Sequence, residues 1–267
     1  ANAAPVDDEV GPGMRQPAPA AAGPQQQHAR LFKPDGVISQ FVQNDRLVEG
    51  HRGAHLLLSD LQSTASLPAG MMAIGRLDRD SEGLLLLTTD GRLCHYVAKG
   101  RQVEKEYYAQ VLGEIEPAAL QQLSSGVEIA MGAGRAYLTR PCRAAKLVEP
   151  PRLPPRATPV PGLRRQSADG TEHLVHTSWV SLTLTEGKFR QVRKMTHAVG
   201  HPTLRLVRVR VGDVVLGDLR PGELAPWEPG CQLVCSAHVF AETKRAERGA
   251  ASLSELLLGA PRSWMHV

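Results

Sequence analysis

The sequence predicts an α+β domain, and three observations carry that prediction. SWVSLTLT (178–185) and LRLVRVRV (204–211) alternate apolar with polar residues, as half-buried strands do. PAALQQLSSG and FRQVRKMTHAV read as short helices closed by Gly126 and Gly200. Strands and helices mix without a regular βαβ alternation, which argues against a doubly wound sheet.

The elements follow in order. Residues 1–29 are rich in Ala, Pro, Gln and Gly, start at Ala1 as a trimmed or processed chain does, and are expected to be a disordered tail. A folded unit is expected over 30–231. LFKPDGVISQF (31–41) reads as a strand, a Pro-Gly loop and a second apolar stretch. Residues 46–70 are loop-rich around Leu56, Leu57 and Leu58. MMAIGRLD is a strand running into a loop, and LLLLT is a buried strand by its continuous apolar run. TTDGRLCHYVAKG gives a turn and a helix ended by Gly100. EKEYYAQVLG reads as a strand, and Pro117 opens the next helix. Residues 147–176 hold six prolines and four arginines and predict an extended basic loop rather than a packed element, either a solvated linker or an RNA-touching arm. In FRQVRKMTHAV, Phe189, Val192 and Val199 are expected to face the core. In LRLVRVRV, Arg208 and Arg210 share one face and the valines the other. Residues 232–267 form a C-terminal extension, with Ser252 and Glu255 as a capping box for a short helix.

Several function classes are excluded. No apolar run approaches a membrane span. Cys94, Cys142, Cys231 and Cys235 are scattered with no CxxC pair, which indicates neither zinc nor a disulfide framework and fits a reducing, intracellular compartment. The net charge is only +4, so a basic surface has to come from local clustering. Such a cluster lies at 186–212, where Lys188, Arg190, Arg193, Lys194, Arg205, Arg208 and Arg210 face Glu186 alone. Arg190, Arg193, Lys194 and His197 fall on one helical face, a pattern suited to a phosphate backbone. The His51/His55 and His197/His201 pairs have metal-ligand spacing, but no carboxylate or Cys joins them, and no metal is predicted there.

GRLDRDSEGLLLLTTDG (75–91) is the most informative stretch. Asp78, Asp80 and Glu82 open like a calcium loop, yet the twelfth position, where a bidentate Glu is required, is Thr89. An apolar strand occupies the intervening positions and flanking arginines oppose a cation, so calcium is rejected; an Asp-x-Asp magnesium site stays open on spacing alone. The other reading is a working carboxylate at Asp78, kept ionised by Arg76 and Arg79, which should lower its pKa.

That stretch resembles the catalytic motif of the pseudouridine synthases that modify ribosomal RNA. FKPDGVISQF resembles the family's N-terminal motif, KEYYAQV (105–111) its K-x-Y strand, and EGKFRQVRKMTHAVGHPTLRLVRVRVGDVVL (186–216) its C-terminal signature, in the family's order. Details of these motifs, the Pro-rich insertion and the lack of a preceding S4 RNA-binding module are similar to the E-type large-subunit branch of the group named after RsuA. The resemblance implies the pseudouridine synthase fold, a mixed and mostly antiparallel sheet with flanking helices and no S4 domain. It implies Asp78 as the essential aspartate and Arg193 as its ionic partner. Tyr107, rather than Tyr108, would be the aromatic platform and Leu206 the pocket floor. Arg76 would contact the RNA as the uridine is flipped out; beside these implied roles, Lys105 and the basic-face residues Arg190, Lys194 and Arg208 are expected to bind the substrate. The resemblance also implies isomerisation of a uridine in large-subunit ribosomal RNA, with no cofactor and no metal, by a monomer acting on RNA or a pre-ribosomal particle in a bacterial cytoplasm or an organelle matrix. Asp80 and Glu82 are expected to be structural. The competing expectations are an idle RNA-binding protein on the same scaffold, and a synthase for another RNA.

Overall fold

The computed structural model describes residues 26–42, 56–99, 103–167 and 169–228. Of the tail expected over 1–29, residues 1–25 lie outside the described residues, as do His51, His55, Gly100, Cys231, Cys235 and the terminal helix at Ser252. The expected end of the tail needs correction, because His28 and Ala29 already belong to the first strand, where Ala29 is buried and pairs with Leu87 and Pro226. No helix among the described residues is long and apolar enough to cross a membrane.

Along the chain run β1 (His28–Lys33), β2 (Val37–Ile38), β3 (Leu56–Leu57), β4 (Met72–Ala73), β5 (Glu82–Thr88) and α1 (Gly91–Lys99). Then come β6 (Lys105–Leu112), α2 (Pro117–Ser125), β7 (Glu128–Gly132), β8 (Arg135–Leu138) and β9 (Arg143–Lys146). The last are β10 (Arg164–Gln166), β11 (Glu172–Leu174), β12 (Thr177–Leu184), α3 (Gln191–Ala198), β13 (Thr203–Val211), β14 (Val214–Val215) and β15 (Leu224–Pro226). The main sheet has the order β15-β1-β5-β13-β6-β12-β9, with β4 beside β5 and β14 beside β13. Its pairings are antiparallel except β5 with β13. The expected α+β class and mixed sheet are what the chain forms.

The LLLL run is buried on both sides, as its lack of alternation predicts. Leu84 and Leu86 meet Phe32, Val207 and α1 residues Leu93, Tyr96 and Val97; Leu85 and Leu87 meet Leu31, Val37, Leu58 and Leu77. Val180, Leu182 and Leu184 form a third cluster with Leu123 of α2 and Val192 and Met195 of α3. Asp90 caps α1 by accepting from Arg92 N at 2.8 Å and Leu93 N at 3.3 Å. Gly83 permits the parallel pair. Its φ is +99°, and a Cβ there would collide with the Arg208 carbonyl oxygen.

Three further expectations need correction. The Pro-rich segment is not an unpacked loop. Leu153 packs on the core, Pro154 O accepts from Arg205 Nη2 at 2.8 Å, and the Arg156 side chain, 5% exposed, pairs with Asp35. The helix begins at Gln191, because Arg190 takes a left-handed conformation (φ 53°, ψ 35°). Phe189 therefore lies outside the helix and is 70% exposed instead of facing the core. Arg208 and Arg210 do not share a face. A register shift between them leaves Arg208 opposite Tyr107 and Arg210 opposite Glu106.

Candidate active site

Asp78 sits on the loop between β4 and β5, and that loop is pinned by residues of the first motif. Leu77 N donates to Ser39 Oγ at 3.0 Å, while the Ser39 hydroxyl donates to Leu77 O at 2.9 Å. Gly36 N donates to Arg79 O at 2.9 Å. Lys33 reaches the same carbonyl at 3.4 Å while donating to Pro34 O and Val37 O at 2.7 and 2.8 Å. Within the loop, Ser81 N donates to Asp78 O at 3.0 Å, a turn that presents the Asp78 side chain. The physical role of FKPDGVISQF is thus to hold the aspartate loop.

The second set of ties comes from the α3 end. Arg190 makes a two-pronged pair with Asp80, both contacts at 2.8 Å, and stands 3.9 Å from the Asp78 carboxylate. Arg193 Nη2 donates to Asp80 O at 2.7 Å and lies 3.4 Å from its carboxylate, and Nη1 donates to Thr203 O at 3.2 Å. The expected pairing of Arg193 with Asp78 is therefore corrected. Arg190 is the nearer cation, and Arg193 holds the loop from behind through Asp80. The left-handed backbone at Arg190 is strained for a bulky residue, and it accompanies a guanidinium that reaches both acids.

Asp80 and Glu82 are structural in their contacts, as expected. Glu82 is buried and bound by Arg205 at 3.0 and 2.8 Å, with Arg156 Nε at 3.5 Å. Arg205, Arg208 and Arg210 are thereby largely committed to protein partners. Arg208 Nε donates to Leu84 O at 2.7 Å, and Arg210 pairs with Glu106 and Glu104 at 2.9 and 3.1 Å. Of the basic residues read on this strand, Arg205 and Arg210 are thus paired with acids on or beside neighbouring strands, while Arg208 donates to a backbone carbonyl.

One cleft of about 800 Å³ collects Asp78, Arg76, Lys105, Tyr107, Arg190, Leu206 and Arg208. On β6, Tyr107 rather than Tyr108 enters it, as strand alternation required of one of the pair. Leu206, 4% exposed, packs beneath, and Arg76 is exposed. Arg193 and Lys194 do not line the cleft; Lys194 stands over the Phe189 ring, 5.4 Å from its centroid. Sequence reasoning missed Lys33, Arg156 and Phe189. Arg156 is a single charge whose acid Glu82 is distant in sequence, Lys33 is a single charge folded back onto backbone carbonyls, and no local pattern marks either. Among the described residues no cluster of three or more His, Cys, Asp or Glu side chains is placed to hold a metal.

The electrostatics reverse one expectation. Burial pushes the Asp78 carboxyl above its usual pKa. Arg190 opposes this, Asp80 adds to it, and Arg193 and Lys33 oppose it. The cations that act there come from distant segments, while the sequence neighbours Arg76 and Arg79 are exposed. At Asp80 burial also pushes upward, but the Arg190 hydrogen bonds and the charge of Arg193 prevail and hold the carboxyl below its usual value. Burial lowers Lys33 to about 8, against the pull of Asp35, Glu82, Asp80 and Asp78. Burial, aided by Arg208, lowers Lys105 to about 8. A desolvated carboxylate of raised basicity, an aromatic face and nearby cations can serve nucleophilic or proton-abstracting chemistry on a base-sized substrate.

Comparison with known proteins identifies the family. Residues 31–198 match the family model described as RNA pseudouridylate synthase. The chain is 42% identical over 194 residues to ribosomal large subunit pseudouridine synthase E of Xanthomonas campestris pv. campestris, covering 72% of this chain and 91% of that one. It is 35% identical over 149 residues to ribosomal large subunit pseudouridine synthase B of Escherichia coli strain K12, covering 55% and 41%. A crystal structure described as pseudouridylate synthase matches the fold with a TM-score of 0.54 at 24% identity, covering 76% of this chain and 71% of that one. The aspartate loop, the strand that carries Tyr107 and the helix behind them all fall within the matched span, and the chain belongs to the RNA pseudouridylate synthase family.

Proposed function

We propose that this protein isomerises a uridine of large-subunit ribosomal RNA, with Asp78 as the reacting carboxylate. The observation that carries the reading is the convergence of Asp78, Tyr107, Leu206 and Arg190 on one cleft within a family-matched fold. The names of the E- and B-type relatives support the choice of RNA.

The target base leaves its stack, at a cost of a few kcal/mol, and enters the cleft. Stacking on Tyr107 and contacts from Arg76 and the cleft cations offset that cost. The Asp78 carboxylate either attacks the sugar or takes a proton from it, and the bond from N1 to the ribose breaks. The detached uracil stays between Tyr107 and Leu206, turns, and bonds to the ribose through C5, which frees Asp78 from the sugar or returns the proton it took; C5 then gives up its proton and N1 takes one up. Arg190 and Arg193 hold the loop and its charge during these steps. On this reading the catalytic domain spans 30–231. The protein acts as a monomer on the RNA or on a pre-ribosomal particle, in a bacterial cytoplasm or an organelle matrix.

The test is a site-resolved pseudouridine map. Wild type and Asp78→Asn are incubated with large-subunit transcript and with subunit particles, and carbodiimide-induced reverse-transcription stops are read. One stop that appears with wild type and not with Asp78→Asn is expected. Identical stops with both proteins would remove Asp78 from the chemistry. RNA bound without any stop would leave a synthase for a different RNA or a binding role.

A further inference from the structure

Phe189 is the one aromatic among the large hydrophobic residues exposed in the described part of the chain. A single exposed hydrophobic residue needs no explanation by itself. Its position gives this one a meaning. It lines the same cleft as Asp78 and Tyr107, and it is 70% exposed. One cation stands on it and another is its chain neighbour, engaged elsewhere. Lys194 Nζ stands over its ring at 5.4 Å, and Lys188, the preceding residue, lies over the Tyr137 ring at 4.5 Å. The backbone contributes a second, independent observation. Continuing α3 back by two residues would have carried Phe189 into helical register with the core-facing Val192. The left-handed turn at Arg190 breaks that register, sending the Arg190 guanidinium to the acids and leaving the phenyl ring in solvent. An exposed aromatic ring with an ammonium group beside it is the arrangement that holds unpaired bases, by stacking on the ring's free face and neutralising adjacent phosphates.

We infer that Phe189 is a stacking platform at the cleft mouth for an unpaired base next to the flipped uridine, in the same RNA. This rests on the reading that the substrate is RNA. Phe189 is then a positioning residue. Tyr107 holds the reacting base inside, and Phe189 keeps its neighbour from restacking and drawing it back.

The test compares full-length wild type, Phe189→Leu, Phe189→Trp and Lys194→Ala on an RNA fragment spanning the uridine mapped above. Affinity is measured against salt, and single-turnover rate at saturating RNA. Phe189→Leu keeps apolar bulk without a π-face and is expected to lose about 5- to 150-fold in affinity. Its salt slope should stay unchanged, since no charge is removed, and its saturating rate should fall, since the neighbouring base can then draw the flipped uridine back. Phe189→Trp should bind like wild type. Wild-type affinity in Phe189→Leu, or a Phe189→Trp as weak as Phe189→Leu, overturns the inference. Wild type that binds but modifies no uridine overturns the functional reading instead, and the affinity comparison still decides Phe189.

Discussion

Glu82→Gln is the sharpest test of the division between working and structural acids. The Glu82 side chain is 2% exposed and takes both prongs of Arg205, itself 10% exposed. Arg156, 5% exposed, adds a third contact at 3.5 Å. Glutamine keeps one acceptor oxygen, removes the charge, and turns an amide donor toward a guanidinium donor. Removing one partner of a buried ion pair costs about 3–5 kcal/mol, because the remaining charge stays buried and unpaired. Arg156 keeps Asp35 and Arg205 keeps the Pro154 carbonyl, which puts the expected loss near the lower end, about 3 kcal/mol. For a folded unit of this size that is roughly 6–12 °C in Tm. Thermal and urea unfolding at neutral pH measure it. Adding Arg205→Met to Glu82→Met should recover part of the loss, since both charges then leave together. A Glu82→Gln loss below about 1 kcal/mol would mean that the pair behaves like a solvated surface bridge, and the structural assignment would fail.

Three further outcomes are expected. Gly83→Ala has to fit a Cβ at φ +99° against the Arg208 backbone, so it should cost about 3–5 kcal/mol, read as a fall in the urea midpoint; a loss under 1 kcal/mol would mean β5 and β13 separate freely. The Asp78 carboxyl has a raised pKa in the fold, so it stabilises the protein below its unfolded value near 3.8 and costs stability as pH rises through the folded value. Asp78→Asn should therefore be inactive yet more stable than wild type at pH 7, with the gap closing at acid pH; a less stable variant at pH 7 refutes the sign. Arg190→Ala should cut the single-turnover rate at saturating RNA by about tenfold or more with little change in affinity, because its guanidinium is bound to Asp80 and faces Asp78. A pure affinity loss would return Arg190 to the RNA-binding surface.

Much of this was legible in the sequence, for identifiable reasons. Leu84–Leu87 announced a strand buried on both faces because an uninterrupted apolar run has no solvent side. Pro117 and Gly126 bounded α2 because their backbone preferences are local. The choice of Tyr107 followed from strand alternation and its distance from Lys105. What was not legible depended on partners far along the chain. Arg76 and Arg79 were the obvious neighbours of Asp78, but the cations that act on it come from Lys33, Arg190 and Arg193. Alternation assigned faces to Arg208 and Arg210, but it could not foresee the register shift or the acids at Glu104 and Glu106. The prolines of 147–176 forecast little regular structure, which is a different property from being unpacked, and Arg156 shows the difference. The break at Arg190 has no signature in FRQVRKM, so Phe189 was assigned to the core.

The ties on the aspartate loop also set a clock. Asp80 and Arg190 are 110 residues apart, and Asp80 and Arg193 are 113. At a synthesis rate of about 5–20 residues per second, the loop waits roughly 5 to 20 s for the segment that steadies it. During that interval the acids near Asp78 stand together without Arg190 and Arg193, held by the ties from Lys33, Gly36 and Ser39. The aspartate loop therefore reaches its full set of partners only after most strands of the sheet have been made, which ties completion of the candidate site to near-completion of the fold.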